Sequence, residues 1–250
     1  MDIWLYPAFG LIAAAYASVG FGGGSSYLAL LQLAGMPFLP LRATALLCNL
    51  TVVSGGSWLY LRRGHLRCRK VLPLVLTSVP MAYLGGRLPV EAAVFYPLLG
   101  ASLTVAALLM WRRPPTTERP AGSTVRNLGT WSGPLLGGAI GLLSGVVGIG
   151  GGVFLAPVLH LLRWDTPVRI AATASVFILV NSVAGLAGQL ARPGLEIDWS
   201  GTLGLLLAVF LGGQLGSRLG TGVLSPVWIK RGTAVLIFVV GWRVLGWWPF

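Results

Sequence analysis

Gly20-Phe21-Gly22-Gly23-Gly24 and Gly148-Ile149-Gly150-Gly151-Gly152 are the two stretches that decide the fold of this 250-residue chain. Each follows an apolar run, about 3–19 and about 131–147, and precedes a shorter one, about 25–35 and about 153–162. At about 1.5 Å per residue the shorter runs reach roughly half of a 30 Å hydrocarbon core. Each pair therefore reads as a hairpin that enters a membrane and turns back on glycine. Glycine suits such a hinge because it accepts positive φ and lets other groups approach the backbone.

Outward from the glycines, the two halves keep matching. Pro40-Leu41-Arg42 answers Pro167-Val168-Arg169, and Ala43-Thr44-Ala45 answers Ala172-Thr173-Ala174. Arg62-Arg63-Gly64 answers Arg192-Pro193-Gly194, and Leu84-Gly85-Gly86-Arg87-Leu88 answers Leu215-Gly216-Ser217-Arg218-Leu219. The offset stays between 127 and 131, the mark of an internal duplication. Three longer spans follow each hairpin, about 43–61, 71–87 and 92–111, then about 170–191, 199–217 and 229–248. Three spans after a hairpin that returns to its own side put the second copy in the opposite orientation. The expected fold is all-α: a polytopic membrane protein of two inverted-topology repeats, 1–111 and 131–250. The segment 112–130, with Pro114, Pro115, Pro120 and Gly122, reads as the linker.

Charge agrees with this threading. Segments 62–70, 112–130, 163–169 and 218–231 fall on one side and carry 14 of the 18 Lys and Arg residues. The positive-inside bias makes that side cytoplasmic, which puts the N-terminus in the periplasm. Equivalent loops carry opposite bias: 62–70 is strongly basic, while 192–198 is net acidic. Such a reversal is expected of an inverted repeat.

Composition excludes the main alternatives. Hydrophobic residues make up 55% of the chain and charged residues 10%, too few charges to cover a soluble surface. The net charge of +12 comes in clusters between apolar runs and not along one face, so a nucleic-acid partner is not expected. Cys48 and Cys68 lie in no CxxC or Cys/His cluster, so neither a metal site nor a disulfide framework is expected. Met1-Asp2-Ile3-Trp4 lacks a basic leader, so the first apolar run is expected in the mature protein. The tail Trp247-Trp248-Pro249-Phe250, with Trp242, reads as an interfacial aromatic belt.

A glycine cluster after the first helix, Pro-x-Arg with Ala-Thr-Ala opening the next span, and Leu-Gly-x-Arg-Leu ending a later one resemble the sulfite exporter TauE/SafE family. Gly194-Leu195-Glu196-Ile197-Asp198-Trp199 makes the second copy the better match. Copy one departs from it with His65-Leu66-Arg67-Cys68 at the matching place. The resemblance implies transport of sulfite, sulfonates or related sulfur oxyanions across the bacterial inner (plasma) membrane. It also implies a two-fold pseudosymmetric arrangement of membrane-intruding helix-loop-helix elements.

The candidate substrate site follows from the hinges. Short helices that begin at glycine clusters aim N–H groups and positive dipole ends inward, where they attract anions. Gly22, Gly23 and Gly24 open such a helix in copy one, as Gly150, Gly151 and Gly152 do in copy two. Ser25 and Ser26 add hydroxyl donors in copy one only, so the site is expected to be chemically asymmetric. Thr44, Asn49, Thr173, Ser175 and Asn181 are polar residues within spans that could donate to anion oxygens. The two asparagines carry most weight because an amide is the costlier group to bury in lipid. Thr51, Ser54 and Ser182 belong to the same set. The competing role is structural, with glycine allowing close helix packing and hydroxyls bonding their own helix. Arg42 and Arg169 sit at matching positions on opposite sides, as anion-attracting mouths or as snorkelling helix ends.

All six acids, Asp2, Glu91, Glu118, Asp165, Glu196 and Asp198, fall in loops or at ends, so a carboxylate proton relay is not expected. Outward movement of a monovalent anion follows an inside-negative potential, by roughly 2.3 kcal/mol per 100 mV. The expected function is alternating-access transport of a small anion. The alternative is a carrier or channel for another small metabolite such as a carboxylate. An intramembrane enzyme lacks its constellation: His160 is the sole span-end histidine and no GxSxG elbow accompanies it. No cofactor is expected. The expected partners are a small anionic substrate and the lipid bilayer, with a homodimer left open.

Overall fold

A computed structural model describes residues 2–18, 21–111, 131–219 and scattered positions from 235 to 246. Every regular element in them is helical: α1 (Leu5–Ala17), α2 (Gly24–Leu33), α3 (Phe38–Arg62), α4 (Cys68–Arg87), α5 (Ala92–Trp111), α6 (Ser132–Val147), α7 (Gly152–Leu161), α8 (Pro167–Leu190) and α9 (Trp199–Leu219). The linker at 112–130, the loop at 220–231, most of the last span at 229–248 and the tryptophan-rich tail lie outside the described residues.

Three of the described helices, Phe38–Arg62, Pro167–Leu190 and Trp199–Arg218, are long and apolar enough to cross a bilayer. Leu76, Leu135, Leu203 and Leu211 are exposed, an apolar surface suited to lipid. Two helices start earlier than expected, α3 at Phe38 instead of near 43 and α8 at Pro167 instead of near 170. The first turn of a helix makes no use of its own N–H groups, so Pro40 and Pro167 are accepted there. Arg42 is thereby drawn into α3.

α3 and α8 pack together and run antiparallel: Ser57 meets Ser175 and Asn49 meets Ser182. Two glycine seams flank them. On α6, Gly137, Gly141 and Gly145 press onto the backbone of Leu74, Ser78 and Ala82 on α4. On α9, Gly212 and Gly216 press onto Gly10 and Ala14 of α1. Both seams run parallel and both join helices from different halves of the sequence. Small residues at four-residue spacing let membrane helices meet backbone to backbone, where van der Waals contact drives association. Exchanging α1, α2, α3 and α4 for α6, α7, α8 and α9 preserves the packing. The α1–α9 pair becomes α6–α4, α3–α9 becomes α8–α4, and α2–α3 becomes α7–α8.

The first hairpin returns to the end it left. Phe9 of α1 stacks on Tyr27 of α2 at 4.7 Å, and the Tyr16 hydroxyl lies 3.0 Å from Ser26 Oγ. Asp2 and Leu5 line one cavity, of about 550 Å³, with Leu31, Ala34, Met36, Pro37, Pro40, Glu196, Ile197 and Asp198. At the other end of α3, Arg67, Lys70 and Arg169 reach Asp165 at 3.4, 3.5 and 3.5 Å. The α3–α4 and α7–α8 connections therefore share an end, opposite the loop at 196–198.

Candidate functional site

Gly23 and Gly151 each cap the N-terminus of a ten-residue helix with a left-handed backbone, at φ 84° and 80°. A side chain there would cost about 1–2 kcal/mol of steric strain. The chain needs this conformation to start α2 and α7 immediately after the turn. The first turn of each helix leaves N–H groups without partners in that helix.

The two turns meet at Asn49, about midway along α3. A Cβ placed on Gly22 or Gly150 would collide with the Asn49 amide. One placed on Gly24 would sit 3.3 Å from both Asn49 Cγ and Ile149 Cα. Asn49 Nδ2 donates to Ser182 Oγ at 3.0 Å and reaches the Ile149 carbonyl at 3.4 Å. At the sequence offset that relates Thr44 to Thr173, Ile178 matches Asn49, and it touches Gly150 and Gly152 in the same way. The crossing is thus symmetric in backbone and asymmetric in chemistry. Two helix N-termini and the Ser182 hydroxyl converge there, while the Asn49 N–H groups are already spent on Ser182 and Ile149; the helix starts are what suit a negative charge.

The other candidates sit around this crossing. Ser25 and Ser26 are buried and share the Tyr16 hydroxyl, at 3.4 and 3.0 Å. Thr44 is buried with its hydroxyl unpartnered, and Thr173 is buried on α8. Ser175 bonds Ser57 at 2.9 Å, about two turns along α3 from Asn49. Asn181 turns its amide back onto the Phe177 carbonyl at 2.9 Å and keeps Oδ1 buried without a partner. It is Ser182, its neighbour, that faces Asn49. Thr51 and Ser54 bond their own helix, at Leu47 and Thr51.

The two arginines part company. Arg169 is partly exposed and pairs with Asp165. Arg42, expected at an open mouth, is 1% exposed. Its guanidinium donates to the carbonyls of Gly145 and Val146 at the C-terminal end of α6. It also lies 5.6 and 5.5 Å from the Phe38 and Phe95 ring centroids. The early start of α3 and these two rings are what bury it. Ser182, Tyr16 and Gln189 all turn out to be buried polar residues close to the turns, and none was among the principal candidates.

The described acidic groups keep to the ends. Asp2, Glu91, Asp165, Glu196 and Asp198 all lie outside α1–α9. Burial pushes the Asp165 carboxyl up, but the Thr166 N–H and the charges of Arg67, Lys70 and Arg169 outweigh it and hold the group below the usual range. The Ser200 hydroxyl and the backbone N–H of Gly201 hold Asp198 low.

A protein-family profile described as Sulfite exporter TauE/SafE matches residues 5–244. A protein of Sinorhizobium fredii (strain NBRC 101917 / NGR234), named "Probable membrane transporter protein y4hK", is 36% identical over 97% of this chain and 98% of its own length. A "Probable membrane transporter protein" of Haemophilus influenzae (strain ATCC 51907 / DSM 11121 / KW20 / Rd) is 31% identical over 40% of each chain. No solved structure matches. The relatives are named as transporters and not as enzymes, in keeping with a multi-pass membrane chain.

Proposed function

This chain belongs to the sulfite exporter TauE/SafE family of membrane transporters, and on that premise we propose that it carries a small oxyanion, sulfite or a sulfonate, outward across the bacterial inner membrane. The observation that carries the proposal is the meeting of two glycine-capped helix starts at Asn49, with Ser182 opposite. Half-helices whose N-termini converge near the middle of a membrane protein bind anionic groups through backbone N–H and dipole. The absence of acids from the described helices suits the same cargo, because a carboxylate there would repel it.

The two copies, 1–111 and 131–250, are inserted in opposite senses, with the N-terminus periplasmic and 112–130 cytoplasmic. The antiparallel α3 and α8 and the exchange of packing partners support this. Alternating access then moves the seamed pairs, α1 with α9 and α4 with α6, about the α3–α8 core. Each glycine seam crosses between copies, so the pairs and not the copies are the rigid bodies.

Flux into and out of proteoliposomes, with sulfite, thiosulfate, sulfonates and carboxylates in turn, tests the proposal. The expected result is sulfur-oxyanion flux that charges the vesicle and responds to an imposed potential. Flux of carboxylates or neutral solutes alone rejects it.

A further inference from the structure

Arg42 and Gln189 converge on the C-terminal turn of α6 and keep unpartnered polar atoms there. The two residues are 1% and 3% exposed. Gly148, which ends α6, offers a bare backbone between them. A Cβ on it would lie 3.6 Å from Gln189 Nε2 and 3.7 Å from Arg42 Cβ. Arg42 spends Nη2 on the Gly145 and Val146 carbonyls, while Nε and Nη1 are buried without a partner. Both Gln189 Nε2 and Gln189 Oε1 are buried without a partner as well.

Such an arrangement is costly unless something completes it. A guanidinium out of water needs compensating charge, and a helix C-terminus with two aromatic faces supplies only part of it. Among the described residues no carboxylate pairs with Arg42. The Arg192 guanidinium, bonded to the Leu88 carbonyl, is near enough for its charge to act on Arg42 and makes the deficit larger.

We infer that Arg42 and Gln189 form a second, buried anion site, distinct from the Asn49 crossing, for a small oxyanion that still carries one proton. The donor and acceptor complement sets that class. The guanidinium offers donors only, and its charge, which the neutral carbonyls of Gly145 and Val146 leave uncompensated, favours anionic oxygens. The Gln189 amide offers donors through Nε2 and an acceptor at Oε1, and the acceptor requires an O–H. Hydrogensulfite and hydrogencarbonate present both; nitrate and chloride present no donor. The inference rests on the anion reading of the transporter and adds to it a site and a protonation state of the cargo.

The test is calorimetric titration of the purified full chain in detergent, at a mildly acid pH where sulfite carries one proton, with nitrate as the comparison ligand. Wild type, Gln189→Leu, Arg42→Lys and Asn49→Leu are compared. Gln189→Leu removes buried unpartnered atoms, so it is expected to fold at least as stably as wild type. The expected result is a loss of about ten-fold in hydrogensulfite affinity in Gln189→Leu, the worth of one charge-assisted hydrogen bond, and a collapse of the preference over nitrate. Arg42→Lys is expected to weaken both anions, because a point charge cannot fill the same planar donor set. Unchanged affinity and preference in folded Gln189→Leu, with binding lost only in Asn49→Leu, overturns the second site and leaves the transporter reading standing. A wild-type chain that binds no anion overturns both.

Discussion

Asn49 of α3 donates its amide to the hydroxyl of Ser182 on α8, 3.0 Å away and 133 residues on in the chain. That bond ties the two long central helices together at the level where both glycine turns arrive. Asn49→Leu keeps the branching at Cγ and removes the tie, leaving the Ser182 hydroxyl and Ile149 carbonyl short of a donor. The expected effect is loss of anion flux with a stability cost of about 1–3 kcal/mol, read by vesicle transport and thermal melting. Asn181→Leu, by contrast, removes only a back-bond and an unpartnered oxygen, so its flux should stay nearer to wild type. Equal losses in the two variants would contradict the assignment of the site to Asn49.

Gly23→Ala and Gly151→Ala should hurt alike, because both caps share the same left-handed geometry. Strain alone predicts about 1–2 kcal/mol each, and contacts of 3.0 Å to Tyr27 and Phe177 add to it. Flux should fall in both while helical content by circular dichroism is kept. Wild-type flux in either would remove that turn from the transport path.

Neighbouring glycines on α6 should behave oppositely. A Cβ at Gly141 falls on the backbone of Ser78, whereas one at Gly138 meets nothing nearer than Met81 Cγ at 3.7 Å. Gly141→Ala must push two helices apart, at a cost of about 1–3 kcal/mol or more, and Gly138→Ala should be neutral. Melting temperatures of the pair in one detergent decide this.

Asp165 holds three cations, Arg67 just before α4, Lys70 in its first turn and Arg169 in the first turn of α8, and its depressed carboxyl sets the pH at which that matters. A folded pKa below the unfolded one gives stability that is present above the ordinary value of 3.8 and lost as pH falls through the folded value. Asp165→Asn should therefore melt below wild type at neutral pH, with the gap closing only at acid pH beneath 3.8. A gap that persists when the carboxyl is protonated would mean packing, not charge, is what Asp165 contributes.

Single cysteines at 66 and 195 should report opposite faces. With both native cysteines, the buried Cys48 and the exposed Cys68, replaced by serine, an impermeant thiol reagent added to intact cells should label Leu195→Cys and spare Leu66→Cys. Labelling of both from outside rules out opposed insertion of the two copies.

The helical class and the rough position of most described helices could be read from the sequence, because glycine clusters, charges and run lengths are local signals, although α3 and α8 begin earlier than their apolar runs. The facing of the helices was not legible. α3 and α8 are apolar nearly all round, so no stripe shows which side turns inward. Asn181 and Ser182 differ by about 100° of helix rotation, and only packing decides that the serine meets Asn49. The burial of Arg42 is hidden in the sequence for a related reason. An arginine near a helix start reads as a surface charge, and the rings that cover it, Phe38 and Phe95, come from two separate helices. The α6 seam was visible in principle as Gly137, Gly141 and Gly145 at four-residue spacing, but its partner on α4 shows only small residues at Ser78 and Ala82.

The seams also constrain how the protein is made. Synthesis delivers α1 and α4 long before α9 and α6, and each waits with a bare backbone strip that only the later helix can cover. A nascent chain halted after 111 would hold two unmated surfaces in the bilayer, open to chaperones, proteases or the wrong neighbour.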